Sequence, residues 1–206
     1  IGQAGGDMTK VNGDSIFPVL NMLNTKYFIV GLQSGQTVPV QNPYANGNAW
    51  FVDKINYVNN ANEEIDAVGK LNLKHEAVAD KKFEALLGKA TPETNTDLIT
   101  LKSYEPNHLV YNVTSKNGGI IVFSEIYYPG WTATVDGVQA ELGRANYILR
   151  ALNIKPGKHE VVLDFHPASL RKTEGIAYGS YGVLVLILVI GILTEWKRRK
   201  ETAVEK

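Results

Sequence analysis

The sequence predicts an α+β protein carried on a membrane helix. A small mixed α/β part covers residues 1–90, and an antiparallel β-sandwich of immunoglobulin-like or jelly-roll-like type covers 98–167. One transmembrane helix follows at 175–194, with a basic tail at 195–206. Three observations predict this. Gly175 to Leu193 holds no charged side chain, and at ~1.5 Å rise per residue such a helix nearly crosses a ~30 Å hydrocarbon core. From Leu98 onward the pattern is strands alone, with turn signals roughly every 8–12 residues. Before residue 90 helical stripes alternate with strands, the signature of a layered α/β arrangement.

Taken in order, Ile1 to Asp14 is rich in glycine and polar residues and reads as a loop. Ser15 caps a short helix, with Pro18 tolerated in its first turn. Ile16, Val19, Leu20 and Leu23 form its apolar stripe, and Asn24 ends it. Tyr27 to Val30 is β-branched and aromatic and reads as a buried strand, with Val38 to Val40 able to pair back onto it. Ala49 to Val58 reads as one strand whose two faces fall out of phase, which a bulge near Asp53 reconciles. Glu63 to Leu71 is a helix capped by Asn62, with Ala61, Ile65 and Val68 as its stripe. Glu76 to Ala79 is a small strand, and Lys81 to Leu87 a second short helix closed by Gly88. Thr91 to Asp97 is polar and aperiodic, and marks the domain boundary.

The second half starts with a strand at Leu98 to Tyr104. His108 to Thr114 then alternates, with Leu109, Tyr111 and Val113 on one face. Asn117-Gly118-Gly119 is a hairpin signal. Ile120 to Phe123 is continuously apolar, as a strand covered on both faces requires. Trp131, Ala133 and Val135 face Val138, Ala140 and Leu142 across an Asp136-Gly137 turn. Asn146 to Leu152 and Glu160 to His166 are further strands, joined through Lys155-Pro156-Gly157-Lys158.

Acidic and basic residues balance at 21 each, and the tail Lys197-Arg198-Arg199-Lys200 carries the one local excess. That excludes an electrostatic footprint for nucleic acid. Cysteine is absent, so no disulfide framework or thiol chemistry is available. His75, His108, His159 and His166 lack metal-ligand spacing, and neither a metal nor another cofactor is expected. Basic residues beyond an apolar span mark the cytoplasmic side, with Trp196 at the interface. Residues up to about Thr173 are therefore expected outside the cytoplasm, with the bilayer as a partner. The chain opens on Ile1 without a basic, then apolar, leader. This predicts the C-terminal piece of a longer chain whose earlier spans deliver the domain.

The run from Phe123 through Tyr127-Tyr128-Pro129-Gly130-Trp131 to Val135-Asp136-Gly137 carries a family resemblance, together with Asn146, Arg150-Ala151 and Pro156-Gly157-Lys158-His159. It resembles the C-terminal region of the YfhO family of bacterial membrane proteins. Leu20 to Ile29 and Asn48 to Val52 are similar to the preceding segment of that family. The resemblance implies a polytopic protein of the GT-C glycosyltransferase type, located in the bacterial cytoplasmic membrane. Such proteins perform inverting transfer of sugars from polyprenyl-phosphate carriers on the outer membrane face, in some cases onto cell-wall polymers such as teichoic acids. Its catalytic acids lie in upstream loops, so no catalytic residue is assigned here. A non-enzymatic, membrane-anchored glycan- or protein-binding module is the alternative, and a structural clamp on the periplasmic face of a transporter-like core is a third reading.

The candidate ligand-binding residues are Tyr127, Tyr128, Trp131, Asn146 and Arg150. Aromatic rings on a loop suit the apolar faces of a sugar acceptor, and Asn146 and Arg150 could bond its hydroxyls. The structural alternative packs Trp131 into the sandwich while Pro129-Gly130 turns the chain. Glu63, Glu64 and Asp66 lie in a first helical turn, where acids favour the positive dipole end. In the span, Gly175, Gly179 and Gly182 form a small-residue stripe that permits close approach of other transmembrane helices of the same parent chain.

Overall fold

A computed structural model describes residues 17–32 and 34–204. The chain divides into two compact units, Ile1–Phe165 and His166–Lys206. The first is a mixed α/β fold built on antiparallel sheets, and the second is one apolar helix.

Helix α1 (Pro18–Met22) begins on its proline, whose missing N–H is no loss in a first turn. Ser15 and Ile16 lie outside the described residues. Asn24 ends the helix in the left-handed region at φ 55°. The buried side chains are Asn21 and Met22, while Val19, Leu20 and Leu23 are exposed, so the predicted apolar stripe is not the packed face. Asn21 is buried because it is bonded: its Oδ1 accepts from Asn42 Nδ2 at 2.9 Å. Strands β1 (Tyr27–Gly31) and β2 (Thr37–Gln41) pair as an antiparallel hairpin that joins no larger sheet. The expected buried strand is therefore half open, with Ile29 72% exposed.

At Asp53 the structure replaces the expected bulge with a change of sheet. Strand β3 (Ala49–Val52) pairs antiparallel with β8 (Gly119–Ile126), and β4 (Lys54–Val58) pairs parallel with β5 (Glu76–Asp80). Asp53 is pinned at the break, its backbone N–H donating to His75 O at 2.7 Å. Its carboxylate meets His75 Nδ1 at 2.9 Å and accepts from Glu93 N at 2.7 Å.

Helix α2 (Ala61–Val68) makes the crossover that parallel strands need. Its cap is Asn60 rather than Asn62: Asn60 has extended dihedrals and accepts from Asn62 N and Glu63 N. Glu63 reaches back to the Asn59 N–H at 2.9 Å, completing a reciprocal cap. The buried residues are Glu64 and Val68, while Ile65 is exposed. A 3₁₀ turn at Lys81–Phe83 feeds helix α3 (Glu84–Leu87), and Gly88 closes it at φ 65°.

The remaining strands are β6 (Leu98–Glu105), β7 (His108–Ser115), β9 (Trp131–Val135), β10 (Val138–Ala140), β11 (Gly143–Ala145), β12 (Leu149–Ile154) and β13 (Gly157–Phe165). A five-stranded sheet runs β10-β9-β13-β7-β6, and a four-stranded sheet runs β11-β12-β8-β3. Leu109, Tyr111 and Val113 share the predicted face and pack with Val161 and Leu163 against Ile121, Phe123, Leu152 and Ile154. Ile120 and Val122, on the opposite face of β8, pack with Trp50 and Val52 against Val68, Leu73, Val78 and Leu87. The four-stranded sheet is thus covered on both faces, which is why Ile120 to Phe123 carries no polar residue.

Two turns differ from expectation. Asn117-Gly118-Gly119 joins β7 to β8, which lie in different sheets, so it bridges the sandwich instead of closing a hairpin. Gly118 is required there: at φ 71°, a Cβ would stand 2.5 Å from Ile154 O. Lys155 to Lys158 likewise carries the chain from β12 to β13 across the sandwich. Asn146 and Tyr147, at φ 50° and 72°, turn the chain between β11 and β12, where a continuous strand was expected. The Asp136-Gly137 hairpin forms as predicted, Val138 pairing with Val135.

Helix α4 (Ala168–Val204) is continuous and longer than expected. Its membrane-compatible stretch is Thr173–Arg198, 26 residues, or ~39 Å at ~1.5 Å rise each.

Candidate functional site

A cleft of about 740 Å³ opens between three segments: Lys82 to Leu86, the Tyr127 to Thr132 turn, and Gln139 to Leu142. The turn is shaped locally. Pro129 and Gly130 occupy its centre, Gly130 at φ 108°, and the Trp131 N–H donates to Tyr128 O at 3.3 Å. The Tyr127 N–H donates to Ile148 O at 2.7 Å, tying the turn to the start of β12.

This geometry sets the aromatic rings. Tyr127 meets Phe83 edge-on with centroids 5.8 Å apart, and Tyr128 stands 61% exposed, 6.3 Å from the Phe165 ring. Trp131 is partly buried, between Phe165 at 5.2 Å and the Arg150 guanidinium at 3.9 Å from its ring. Charge sits at the margins: Lys82 Nζ lies 3.7 Å from Asp80 and 5.1 Å above the Phe83 ring, and Glu141 is exposed across the cleft. An aromatic floor with charged and amide rims can hold a flat, polyhydroxylated ligand by stacking and peripheral hydrogen bonds.

Arg150 is 1% exposed and lies on the sandwich side of β12. One nitrogen donates to Glu125 Oε2 at 3.2 Å; Nε and Nη1 have no partner among the described residues. Glu125 also accepts from Tyr104 Oη at 3.2 Å, and its charge raises the Tyr104 hydroxyl pKa. Burial lowers the Arg150 pKa, against the pull of the Glu125 carboxylate. Arg150 therefore reaches the cleft through Trp131 and does not line it.

Asn146 stands apart from the other four candidates. It is fully buried, and its Oδ1 accepts from the Val78 N–H at 3.0 Å while its own N–H donates to Val78 O. Beside it is a residue that the sequence places only in the first turn of a helix. Glu64 is fully buried, accepting from Arg144 Nη2 at 2.6 Å and from the Tyr147 N–H at 2.9 Å. Burial pushes the Glu64 carboxyl up, against these two donors that draw it down. No local signal identifies Glu64; its partner lies eighty positions away.

Three histidines pair with aspartates: His75 with Asp53, His108 with Asp164 at 2.7 Å, and His159 with Asp136 at 2.6 Å. His166 is exposed. Among the described residues no group of three His, Cys, Asp or Glu side chains is placed to hold a metal ion.

A family model described as bacterial membrane protein YfhO matches residues 26–176, most of the chain. The chain belongs to the YfhO family. As a YfhO-family protein it is membrane-associated, with an extracytoplasmic β-rich region followed by one apolar C-terminal membrane-spanning helix. The YfhO match spans the Tyr127 to Trp131 turn, the five-stranded and four-stranded sheets and the start of the span. No curated protein and no solved structure matches the chain.

Proposed function

We propose that this chain is the acceptor-recognition region of a polytopic YfhO-type glycosyltransferase of the GT-C type, acting on cell-surface glycopolymers. Sugar transfer from a lipid-linked donor belongs, in this reading, to upstream segments of the parent protein. The β-rich domain stands outside the cytoplasmic membrane, and the Lys197-Arg198 end of α4 lies in the cytoplasm. The single observation that supports recognition is the aromatic cleft at Phe83, Tyr127, Tyr128 and Trp131. Gly175, Gly179 and Gly182 have open space where a Cβ would stand, which suits close packing of a neighbouring span from the same parent.

The test is glycan binding by the full chain in detergent or nanodiscs, with Tyr127→Ala and Tyr128→Ala beside it. Each lost ring removes an apolar surface for the sugar's C–H face, and burying an apolar side chain of this size is worth about 1.5–3 kcal/mol, so a roughly ten- to hundredfold weakening is expected. Unchanged binding removes the cleft as the site. Disruption of the whole gene then tests transfer: a residue missing from the surface glycan profile supports the enzyme, and an identical profile overturns it. The second reading is a membrane-anchored glycan- or protein-binding module without transfer activity. It is favoured by the completeness of the cleft, whose walls all come from residues 82–142.

A further inference from the structure

Arg150 is the bulkiest of the fully buried side chains among the described residues. A guanidinium is a planar fork of five N–H donors, and burial makes each unfilled donor costly. Here a single carboxylate oxygen, Glu125 Oε2 at 3.2 Å, accepts from Nη2, while Nε and Nη1 have no acceptor among the described residues. The edges of the fork are poorly used. Its face is used closely: the guanidinium carbon stands 3.9 Å from the centroid of the Trp131 ring, well inside the ~6 Å reach of a cation–π contact.

Two backbone features bring these groups together. Strand β8 bulges against β12: Arg150 pairs with Phe123 but Leu149 with Ile126, so Ser124 and Glu125 have no register partner. Bulges of this kind re-aim side chains beside functional sites. Both oxygens of Glu125 are engaged, Oε2 by Arg150 and Oε1 by the Tyr104 hydroxyl at 3.2 Å. Trp131, for its part, opens β9 directly after Gly130 at φ 108°. Its indole is held by the Phe165 ring at 5.2 Å and by the guanidinium. Trp131 lines the cleft, whereas Tyr104, Glu125 and Arg150 do not.

An ion pair with a buried cation contributes little stability, because desolvation offsets the attraction, and apolar residues of similar volume often serve as well or better. A guanidinium whose fork is mostly unfilled is a poor stabilising device, and its closest contact is a ring of the cleft. We propose that Glu125 and Arg150 are positioning residues: the carboxylate fixes the guanidinium, the guanidinium fixes the plane of Trp131, and the fold gives up stability to keep that ring set for a ligand. The role toward a ligand rests on the cleft being the recognition site, as proposed above; the setting of the ring does not.

The double variant Glu125→Leu/Arg150→Met tests this, since it removes both charges together and strands neither. In the full chain in detergent micelles it is expected to unfold in urea at an unchanged or higher midpoint. A clearly lower midpoint makes the pair a stabilising one and overturns the proposal. Labelling with 5-fluorotryptophan gives one 19F resonance for each of Trp50, Trp131 and Trp196, that of Trp131 being assigned by its loss in Trp131→Phe. In the double variant the Trp131 line is expected to broaden or split as the ring samples several orientations, while the Trp50 line stays sharp. A single sharp Trp131 line overturns the proposal whatever the cleft binds. The last measurement uses the tightest-binding glycan from a printed array of bacterial surface glycans. Its affinity is expected to fall roughly three- to tenfold in the double variant, the cost of re-ordering one side chain on binding. Unchanged affinity overturns the positioning role. Failure of the wild-type chain to bind any glycan on the array removes the cleft as the recognition site, and with it the role toward a ligand, while the 19F result still decides what sets the ring.

Discussion

Glu64 and Gly118 show how much depends on single atoms whose partners lie far along the chain. Glu64 joins α2 to the β11–β12 turn through Arg144 and the Tyr147 N–H. Glu64→Ala strands both donors in a low-dielectric setting, at a cost of about 3 kcal/mol, readable as a lower denaturation midpoint. Replacing Glu64 and Arg144 together by leucine is expected to recover most of that loss, because no charge is then left unpaired. Gly118→Ala forces an alanine into the left-handed region and its Cβ against Ile154 O. It is expected to lower stability by about 2 kcal/mol or more, measured by urea unfolding. Arg150 shows the same dependence at the cleft: it supports Trp131 from beneath, and Trp131 in turn presents its ring to the cleft.

At the level of the element, β7 and β13 are fastened at one end by His108 and Asp164, cross-strand neighbours in register. The Asp164 hydrogen bond and charge raise the His108 pKa. A raised histidine stabilises the fold fully below its unfolded value of about 6.5 and loses that contribution as pH rises through its folded value. Asp136 behaves oppositely: bonds from His159 and the Glu160 N–H hold its carboxyl below the usual range. Its contribution is present above the unfolded aspartate value of about 3.9 and fades as pH falls through the folded one. Thermal scans are therefore expected to show highest stability between about pH 4 and 6.5. His108→Gln should flatten the decline on the alkaline side while leaving the acid side unchanged.

The elements themselves were legible because periodicity is local. The alternation of Leu109, Tyr111 and Val113, the apolar run from Ile120 to Phe123 and the Asp136-Gly137 hairpin all carry their own signal. Which sheet a strand joins carries none. A glycine turn at 117–119 specifies a reversal but not a partner, so a hairpin and a bridge between sheets read alike. Tyr27 to Val30 reads as core by composition, yet it lies in a hairpin open on one side. At the cleft, the Tyr127 to Trp131 cluster was visible as a run of rings. The contribution of Phe83 was not, because it arrives from a helix some forty positions earlier and only the fold brings it near.

For the whole molecule, the span decides where everything else resides. Thr173–Arg198 exceeds the ~30 Å hydrocarbon thickness by several ångströms, which tilt or protrusion into the headgroups takes up. In the proposed orientation, which puts Lys197 and Arg198 in the cytoplasm, a cysteine introduced as Glu195→Cys is expected to resist membrane-impermeant maleimide in intact cells and to react after permeabilisation. A cysteine at exposed Val138 should react before permeabilisation. Reversal of that pattern places the domain inside.

The pairing of Ala49–Val52 with Gly119–Ile126 has a consequence for biogenesis. An early strand docks onto one synthesised much later, so the middle layer of the fold stays incomplete through most of translocation. Until residue 126 has emerged, β3 has no strand partner and Trp50 and Val52 lack Ile120 and Val122 beside them, and such unpaired, greasy edges are where chains aggregate. A nascent protein of this design depends on secretion outpacing misassembly, and slowing the ribosome between these two segments should lower the yield of correctly folded product.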